Sequence, residues 1–352
     1  MFNNKVISID IGNKNIKMVL GKQNKNNILV EKAVVIETPH NSYKDGNILN
    51  IENLKSVINK YIKSENIKTK KVICTVQSTS IINREIILPV AKKEQEMDTM
   101  VRFEIEQYLP IIFDDYVIEY KILETFVEED IKKGRITVVA LPKTIAEDYL
   151  KLIKDLNLTP VALDMNSNAV SKLYESKVTI NDENSSLDKT VAVIDIGHTQ
   201  INLNMIFNGV LEFSRVIPIG SNEIDTNIAN MLNVSLQEAE KRKIENSNLN
   251  NKNDLISLEM LNDIVKDSAN NYMEEIRRLF RYYKNIKREN TIEQIHLHGA
   301  GSEIKGLEDY LKKELNIPVV KIEKMSNVKL GKETQDIKLN QYLNCIGSII
   351  RK

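Results

Sequence analysis

An α/β fold built from two related halves is predicted by three observations. Strand-like apolar runs alternate with helix-spaced stripes along the whole chain. The stretch VISIDIGNKNIK at residues 6–17 returns as VAVIDIGHTQIN at residues 191–202. A third glycine turn, Gly299-Ala300-Gly301-Ser302, joins a late strand to a late helix. The totals agree with this class. A chain of 352 residues can bury two cores, and 28% charged with 42% hydrophobic residues is ordinary for a soluble globular protein.

In chain order, KVISIDI, IKMVLGK and ILVEKAVVIE read as three strands joined by polar turns. NIENLKSVINKYIKSEN then puts Leu54, Val57, Ile58, Tyr61 and Ile62 on one helical stripe. KKVICTVQ is a strand, with Cys74 read as a small buried hydrophobe. After Pro89, KEQEMDTMVRFEIEQYLP sets Met97, Met100, Val101, Ile105 and Tyr108 at helical spacing and stops before Pro110. YVIEYKIL and RITVVALP follow as strands and TIAEDYLKLIKDLNL as a helix. The polar NDENSSLDK, residues 181–189, reads as a linker. Beyond it VAVIDIG, INLNMIF and VLEFSRVIPI restart the first pattern, and the Asn-rich residues 246–254 read as an exposed loop.

Several function classes are disfavoured. Lys+Arg and Asp+Glu both number 49, and a net charge of zero argues against a protein that lives on nucleic acid by counterion release. No apolar run approaches the roughly 20 residues of a membrane helix. MFNNKVISIDIG enters a strand at once, leaving no room for a signal peptide, so a cytoplasmic protein is expected. Cys74 and Cys345 lack metal-ligand spacing, and His296 and His298, alternating on one strand, have no third ligand nearby. IRRLFRYYKNIKRE mixes arginines with aromatics, but Ile276, Leu279, Phe280 and Tyr283 form one stripe and leave the bases on a solvated face.

The repeated turns carry the chemistry. A glycine after a buried strand lets backbone N–H groups approach an anion. The Asp before it repels phosphate but can hold the waters of a magnesium ion. Two such hairpins across a cleft would clamp the phosphates of a nucleotide from both sides. Glycines at the later strand-to-helix junction would let a flat ring or its ribose lie against backbone.

Acid-glycine hairpin, acid-glycine hairpin and late glycine turn, in that order, resemble the actin-like ATPase superfamily, whose members hold ATP between two related domains. The resemblance implies that Asp10, Gly12, Asn13, Lys14, Asn15 and Lys17 form a first phosphate loop and Asp195, Gly197, His198 and Thr199 a second. It implies an adenosine motif at Gly299, Gly301 and Ser302. Glu240 and Lys243 match the helix pair that flanks adenine and ribose, and Asp10 and Asp195 the pair that holds Mg2+ through water. Asn166 stands where many members carry a water-orienting Glu or Gln, with Asp164 close by; these two are the catalytic candidates. Ile201 replaces a customary Thr. Asn166 cannot take a proton, so slow or absent ATP hydrolysis is expected.

A narrower likeness spans nearly the whole chain. KDGNILNIENLKSVI, VRFEIEQYLPIIFDDYVIEYKIL, TVVALPKTIAEDYLKLIKDLNLTPVALD and the ending YLNCIGSIIRK resemble the PilM family of type IV pilus assembly proteins. That family is similar in fold to the cell-division protein FtsA. The resemblance implies domain I over 1–189 with an inserted subdomain at 82–161. Domain II would span 190–352, with a subdomain at 226–290 and a C-terminal helix over about 338–352 that returns to domain I. It implies an ATP-binding assembly platform, peripheral to the cytoplasmic membrane, that docks the cytoplasmic N-terminal peptide of a PilN-like membrane protein. Contacts with the assembly and retraction motor ATPases are implied as well. Leu109, Ile111, Ile112 and Phe113 form a run too apolar for a free loop. They either close the subdomain's own core or line the peptide groove. A sugar- or acid-kinase type phosphotransferase and an FtsA-like filament former are the competing readings.

Overall fold

The computed structural model describes residues 5–25, 27–108, 112–184, 189–250, 256–286 and 291–351. The first half opens with three antiparallel strands, β1 (Val6–Ile11), β2 (Asn15–Asn24) and β3 (Asn27–Glu37). A short hairpin of β4 (Tyr43–Lys44) and β5 (Asn47–Ile48) leads to helix α1 (Ile51–Ser64). The Asn50 side chain caps α1 by accepting from the Asn53 amide at 3.0 Å, and Leu54 and Ile58 face inward. β6 (Lys71–Val76) then pairs parallel to β1.

Three antiparallel strands follow as a separate sheet in the order β7-β9-β8: β7 (Ile82–Pro89), β8 (Tyr116–Glu128) and β9 (Ile131–Pro142). Helix α2 (Glu94–Tyr108) covers one face, where Met97, Val101 and Ile105 bury against Leu88, Ile136 and Val138. This small core makes the insertion a unit of its own, and it ends at Pro142 rather than at residue 161. Helix α3 (Lys143–Asp155) belongs to the first half, since Ile145, Tyr149, Leu152 and Ile153 pack with Ile7 and Leu54. β10 (Thr159–Met165) pairs parallel to β6, and helix α4 (Asn166–Lys172) leaves its end.

After a two-rung hairpin, β11 (Thr179–Ile180) and β12 (Glu183–Asn184), the second half repeats the opening. β13 (Thr190–Ile196), β14 (Ile201–Phe207) and β15 (Val210–Ile217) form the antiparallel meander. Helices α5 (Ser221–Leu232), α6 (Leu236–Asn246) and α7 (Ile256–Ile286) cover one face of that sheet. In α7, Ile276, Leu279, Phe280 and Tyr283 are buried, while Arg278 pairs with Glu275 and Arg277 with Glu314, as expected of a solvated helix face. β16 (Ile292–His298), α8 (Leu307–Leu315) and β17 (Val319–Lys321) complete a sheet ordered β15-β14-β13-β16-β17.

From there the chain goes back to the first half. β18 (Val328–Leu330) adds to β3, giving the order β10-β6-β1-β2-β3-β18. Helix α9 (Leu343–Ser348) packs on α4, where a Cβ on Gly347 would lie 2.0 Å from the Ala169 carbonyl oxygen. The C-terminal return extends further than a single helix, so the second half's own sheet closes at β17. A shared apolar cluster, with Val19 and Ile346 from the first half's side and Val193 and Ile206 from the second, joins the two halves.

Candidate functional site

The two acid-glycine hairpins have the same register. Asp10 lies opposite Lys17 and Ile11 opposite Ile16; Asp195 lies opposite Asn202 and Ile196 opposite Ile201. Each turn is closed by one bond, from the Gly12 amide to the Asn15 carbonyl at 3.0 Å and from Gly197 to Gln200 at 2.9 Å. A Cβ on either glycine would sit against that same carbonyl, at 3.0 and 2.8 Å. The loop carbonyls are tied from outside. Thr38 donates from its amide to Lys14 and from its hydroxyl to Gly12, while the first amides of α5, Ser221 and Asn222, donate to Gly197 and His198.

Between the hairpins lies a cleft of about 560 Å³, lined by Asp10, Gly12, Asn13, Lys14, Asn15, Lys17, Asp195, Gly197, His198 and Thr199. Its floor joins the halves through one side chain: Asn344 Nδ2, on α9, donates to Asp10 Oδ2 and to Asp195 Oδ2, each at 3.1 Å. The Lys17 ammonium stands 3.7 Å from Asp10. Burial works against its charge, but Asp10 and Asp195 outweigh that and raise its pKa. Burial likewise opposes the Asp195 charge, yet His298, Lys17 and amide hydrogen bonds from Asn344 and Asn202 hold that carboxyl below its usual range. His298, 3.9 Å from Asp195, is itself pushed down by burial. Burial and Lys14 also lower His198.

The third glycine turn closes one wall. Gly299 has φ +83°, and a Cβ there would meet Asp195 Oδ1 at 2.2 Å; one on Gly301 would meet the Ile196 side chain at 2.3 Å. Ser302 Oγ donates to the Gly299 carbonyl and accepts from Asn340 at 2.9 Å. Across from this turn stands α6, started by a Ser235 side-chain cap. Its Glu240 accepts from Lys14 of the opposite half at 2.8 Å, which lowers the Glu240 pKa despite burial. Lys243 is buried on Asp225 at 2.6 Å, and Ile244 presents an exposed apolar side chain to the cleft. Ile244 and the glycine turn line the same cleft.

The donor set also fits a hydrated hard cation. Asn166, Asn202 and Asn344 each have a buried side-chain oxygen that accepts no hydrogen bond, on the same floor as Asp10 and Asp195. Oxygen acceptors around two carboxylates are what the waters of magnesium require. Among the described residues no group of three or more His, Cys, Asp or Glu is placed to hold a metal ion. His296 is structural in contact, its Nδ1 2.9 Å from the Tyr174 hydroxyl.

Some expected residues stand elsewhere. Asp164 does not line this cleft. It sits on edge strand β10, two strands from β1, on the order of 10 Å away. There it accepts from Asn168 at 2.7 Å and Lys172 at 2.6 Å. Ile201 is buried in the second half's core, so the nearby cleft hydroxyl is that of Thr199. Asn166 does reach the cleft, with Nδ2 3.5 Å from Asp10 Oδ1. Sequence reading missed Asn202, Asn344 and Ile244. The repeat itself could have found Asn202, which occupies the position of Lys17 in the second hairpin.

A second cleft, about 980 Å³, lies behind the inserted sheet. Val117, Val139 and Leu141 line one side, Leu163, Asp164 and Met165 another, and the β14–β15 hairpin from Asn208 to Arg215 the third. The described part of the apolar run, Ile112 and Phe113, does not build it. Leu109 and Ile111 lie outside the described residues, Ile112 is 69% exposed, and Phe113 packs against the insertion's own core. Neither Ile112 nor Phe113 lines the cleft.

A family model described as Type IV pilus assembly protein PilM matches residues 8–347. Among solved structures, the chain is similar to a chain of a PilM-PilN type IV pilus biogenesis complex, with TM-score 0.80 and 19% identity over 98% of this chain and 96% of that one. It is also similar to MreB5 of Spiroplasma citri bound to ADP, with TM-score 0.52 and 12% identity over 98% and 95%. In sequence it is similar to the cell division protein FtsA of Bacillus subtilis, 24% identical over 285 residues, 69% of this chain, and it spans 58% of that protein's length. The fold is that of the actin-like ATPases. By a match that runs from the first strand to the last helix, the chain belongs to the PilM family of type IV pilus assembly proteins.

Proposed function

We propose that this protein is an ATP-binding assembly platform of a type IV pilus machine. ATP and magnesium occupy the cleft between the halves, and the cytoplasmic N-terminal peptide of a PilN-like membrane protein occupies the cleft behind the inserted sheet. The observation that carries the peptide reading is the uncovered sheet face. Helix α2 packs on one side of β7-β9-β8, while Val117, Val139 and Leu141 on the other side open into a groove of about 980 Å³. An extended peptide would bury apolar side chains there, a common recognition mode. The similar solved structure is a complex of PilM with PilN, which supports this partner. No helix among the described residues is long and apolar enough to cross a membrane. Such a peptide would hold the chain at the cytoplasmic face, within reach of the motor ATPases.

For the nucleotide, the twin loops supply backbone donors, Lys14 and Lys17 supply charge, and Asp10 and Asp195 hold the waters of magnesium. The ADP-bound MreB5 relative supports a nucleotide in this fold. Slow hydrolysis follows from the carboxylates. Asp45 is engaged by the Thr79 amide and hydroxyl, Glu240 by Lys14, Glu303 by Lys338 and Asn340, and Glu308 by the Lys321 amide. Asp10 and Asp195 share Asn344. None of these described cleft carboxylates stands ready as a base, which also disfavours a kinase.

The peptide reading is tested by fluorescence anisotropy with a labelled N-terminal peptide of the partner. Val139→Asp should weaken capture at least about tenfold, because a carboxylate would be buried against the peptide. Ile112→Asp, outside the groove, should not. The reverse pattern would move the peptide to the 109–113 segment and refute the groove.

A further inference from the structure

Three neighbouring strands of the first sheet end together at the nucleotide cleft. Asp10 of β1 lies beside Thr75 of β6, and Val76 of β6 lies beside Met165 of β10. The next residues, Gln77 and Asn166, therefore leave the carboxyl ends of adjacent parallel strands side by side. Ligands of open α/β sheets collect at such ends. Both residues line the cleft and both are more than nine-tenths buried, at 8% and 7% exposure. Asn166 Nδ2 is turned to Asp10 Oδ1, which identifies its Oδ1 as the free acceptor. Neither Asn166 Oδ1 nor Gln77 Oε1 accepts a hydrogen bond from the protein. A buried acceptor left without a donor costs about 1–3 kcal/mol. Two of them on one wall of a polar cleft call for a ligand with two protons to give, and water is the smallest such ligand. The second half shows what this wall replaces. Strand pairing makes His298 the equivalent of Thr75, so the equivalent of Gln77 is Ala300, in the glycine turn.

We infer that Gln77 and Asn166 together seat a water beside Asp10, on the wall opposite the glycine turn, and that Gln77 is a positioning residue for ATP hydrolysis. The inference rests on the nucleotide reading above and narrows it. In hydrolysis the water oxygen forms a bond to the terminal phosphorus as the bond to the bridging oxygen breaks, and the water proton leaves to a phosphate oxygen or to solvent. Two carboxamide oxygens orient that water but accept no proton. The cleft would thus hold the nucleophile in place while keeping turnover slow.

The test uses the full chain with magnesium. Calorimetry with ADP checks the underlying reading, and no ADP binding by the wild type overturns that reading and the water seat with it. With ADP bound, aluminium fluoride mimics the phosphoryl group and its attacking oxygen. Gln77→Ala should lower the ratio of ADP–aluminium fluoride to ADP affinity at least about tenfold. Gln77→Met, which keeps the volume, should do the same if the smaller side chain disturbs folding. Gln77→Glu, which supplies a proton acceptor at the same place, should raise single-turnover hydrolysis at least about tenfold, given general-base contributions of roughly 10²–10⁴. An unchanged affinity ratio in both Gln77→Ala and Gln77→Met, with ADP binding intact, overturns the proposal. So does a Gln77→Glu variant that binds ADP and hydrolyses no faster than the wild type.

Discussion

The two halves present the same hairpin, the same turn bond and the same acid, but they differ in what surrounds the acid. Opposite Asp10 stands the cation Lys17; opposite Asp195 stands the amide Asn202. Beside Asp10 lies Thr75, with Gln77 just beyond; beside Asp195 lies His298, with the glycine turn beyond. The first half sets a cation opposite its acid and a buried amide beyond it, whereas the second leaves space where a Cβ would collide with Asp195 or Ile196. In the proposed reading, a duplicated unit becomes a clamp with a phosphate-and-water side and a ring side. What the halves share is set by backbone geometry, and what differs is set by a few side chains at strand ends.

The largest effect is expected at Lys17. Lys17→Met removes the cation between two buried carboxylates, whose side chains are 8% exposed. Unpairing a buried charge costs about 3–5 kcal/mol, so urea unfolding at pH 7 should show a loss in that range. A loss below about 1 kcal/mol would mean that Asn344 and the other amides neutralise the floor alone.

The next effect separates equivalent positions within the two cores. Ile73 in the first half corresponds to His296 in the second, and burial pushes His296 down to about 4. The unfolded chain binds a proton near pH 6.5, whereas the folded chain resists it until about pH 4. Stability therefore falls as pH drops through that window, by about 3 kcal/mol in total from this group. His296→Ile, which copies the first half, should flatten that part of the pH profile in chemical unfolding. Asp195 acts at lower pH with the same sign, since its depressed pKa gives stability above the ordinary carboxylate value that is lost as pH falls through the folded one.

Smaller effects are expected at the cleft floor and at its mouth. Asn344→Leu removes the amide that bridges Asp10 and Asp195 and should cost about 1–3 kcal/mol in the same unfolding assay. Lys14→Ala breaks the pair with Glu240 across the cleft mouth. Both side chains are about one-third exposed, so the loss should stay below about 1 kcal/mol and shrink with salt.

Much of this was legible in the sequence because it is local. The strand-acid-glycine pattern specifies a hairpin within twelve residues, and its recurrence locates both loops and the duplication. What was not legible depends on pairing at a distance. The stripe Ile145, Tyr149 and Leu152 predicts helix α3 but not which sheet it covers, so sequence alone carries the insertion on to residue 161. Asp164 and Asn166 are neighbours in sequence, yet the strand ends between them and only Asn166 turns into the cleft. Asn344 reaches the floor because the chain returns through β18 and α9, and no periodicity in YLNCIGSIIRK announces that. The apolar run at 109–113 has no period to say what it faces, and among the described residues the inserted sheet lines the groove with alternating residues of β8 and β9.

Under the proposed function, the two unlike hairpins grip one magnesium nucleotide between them. Calorimetric titration of ATP, with and without magnesium, into the wild type, Asp10→Asn and Asp195→Asn tests it most directly. Magnesium should tighten wild-type binding at least about tenfold, since both carboxylates act through the waters of the ion. Each single substitution should remove most of that gain, although the two residues come from opposite halves. A magnesium gain that survives intact in either variant would show that one half alone holds the ion, contradicting the clamp.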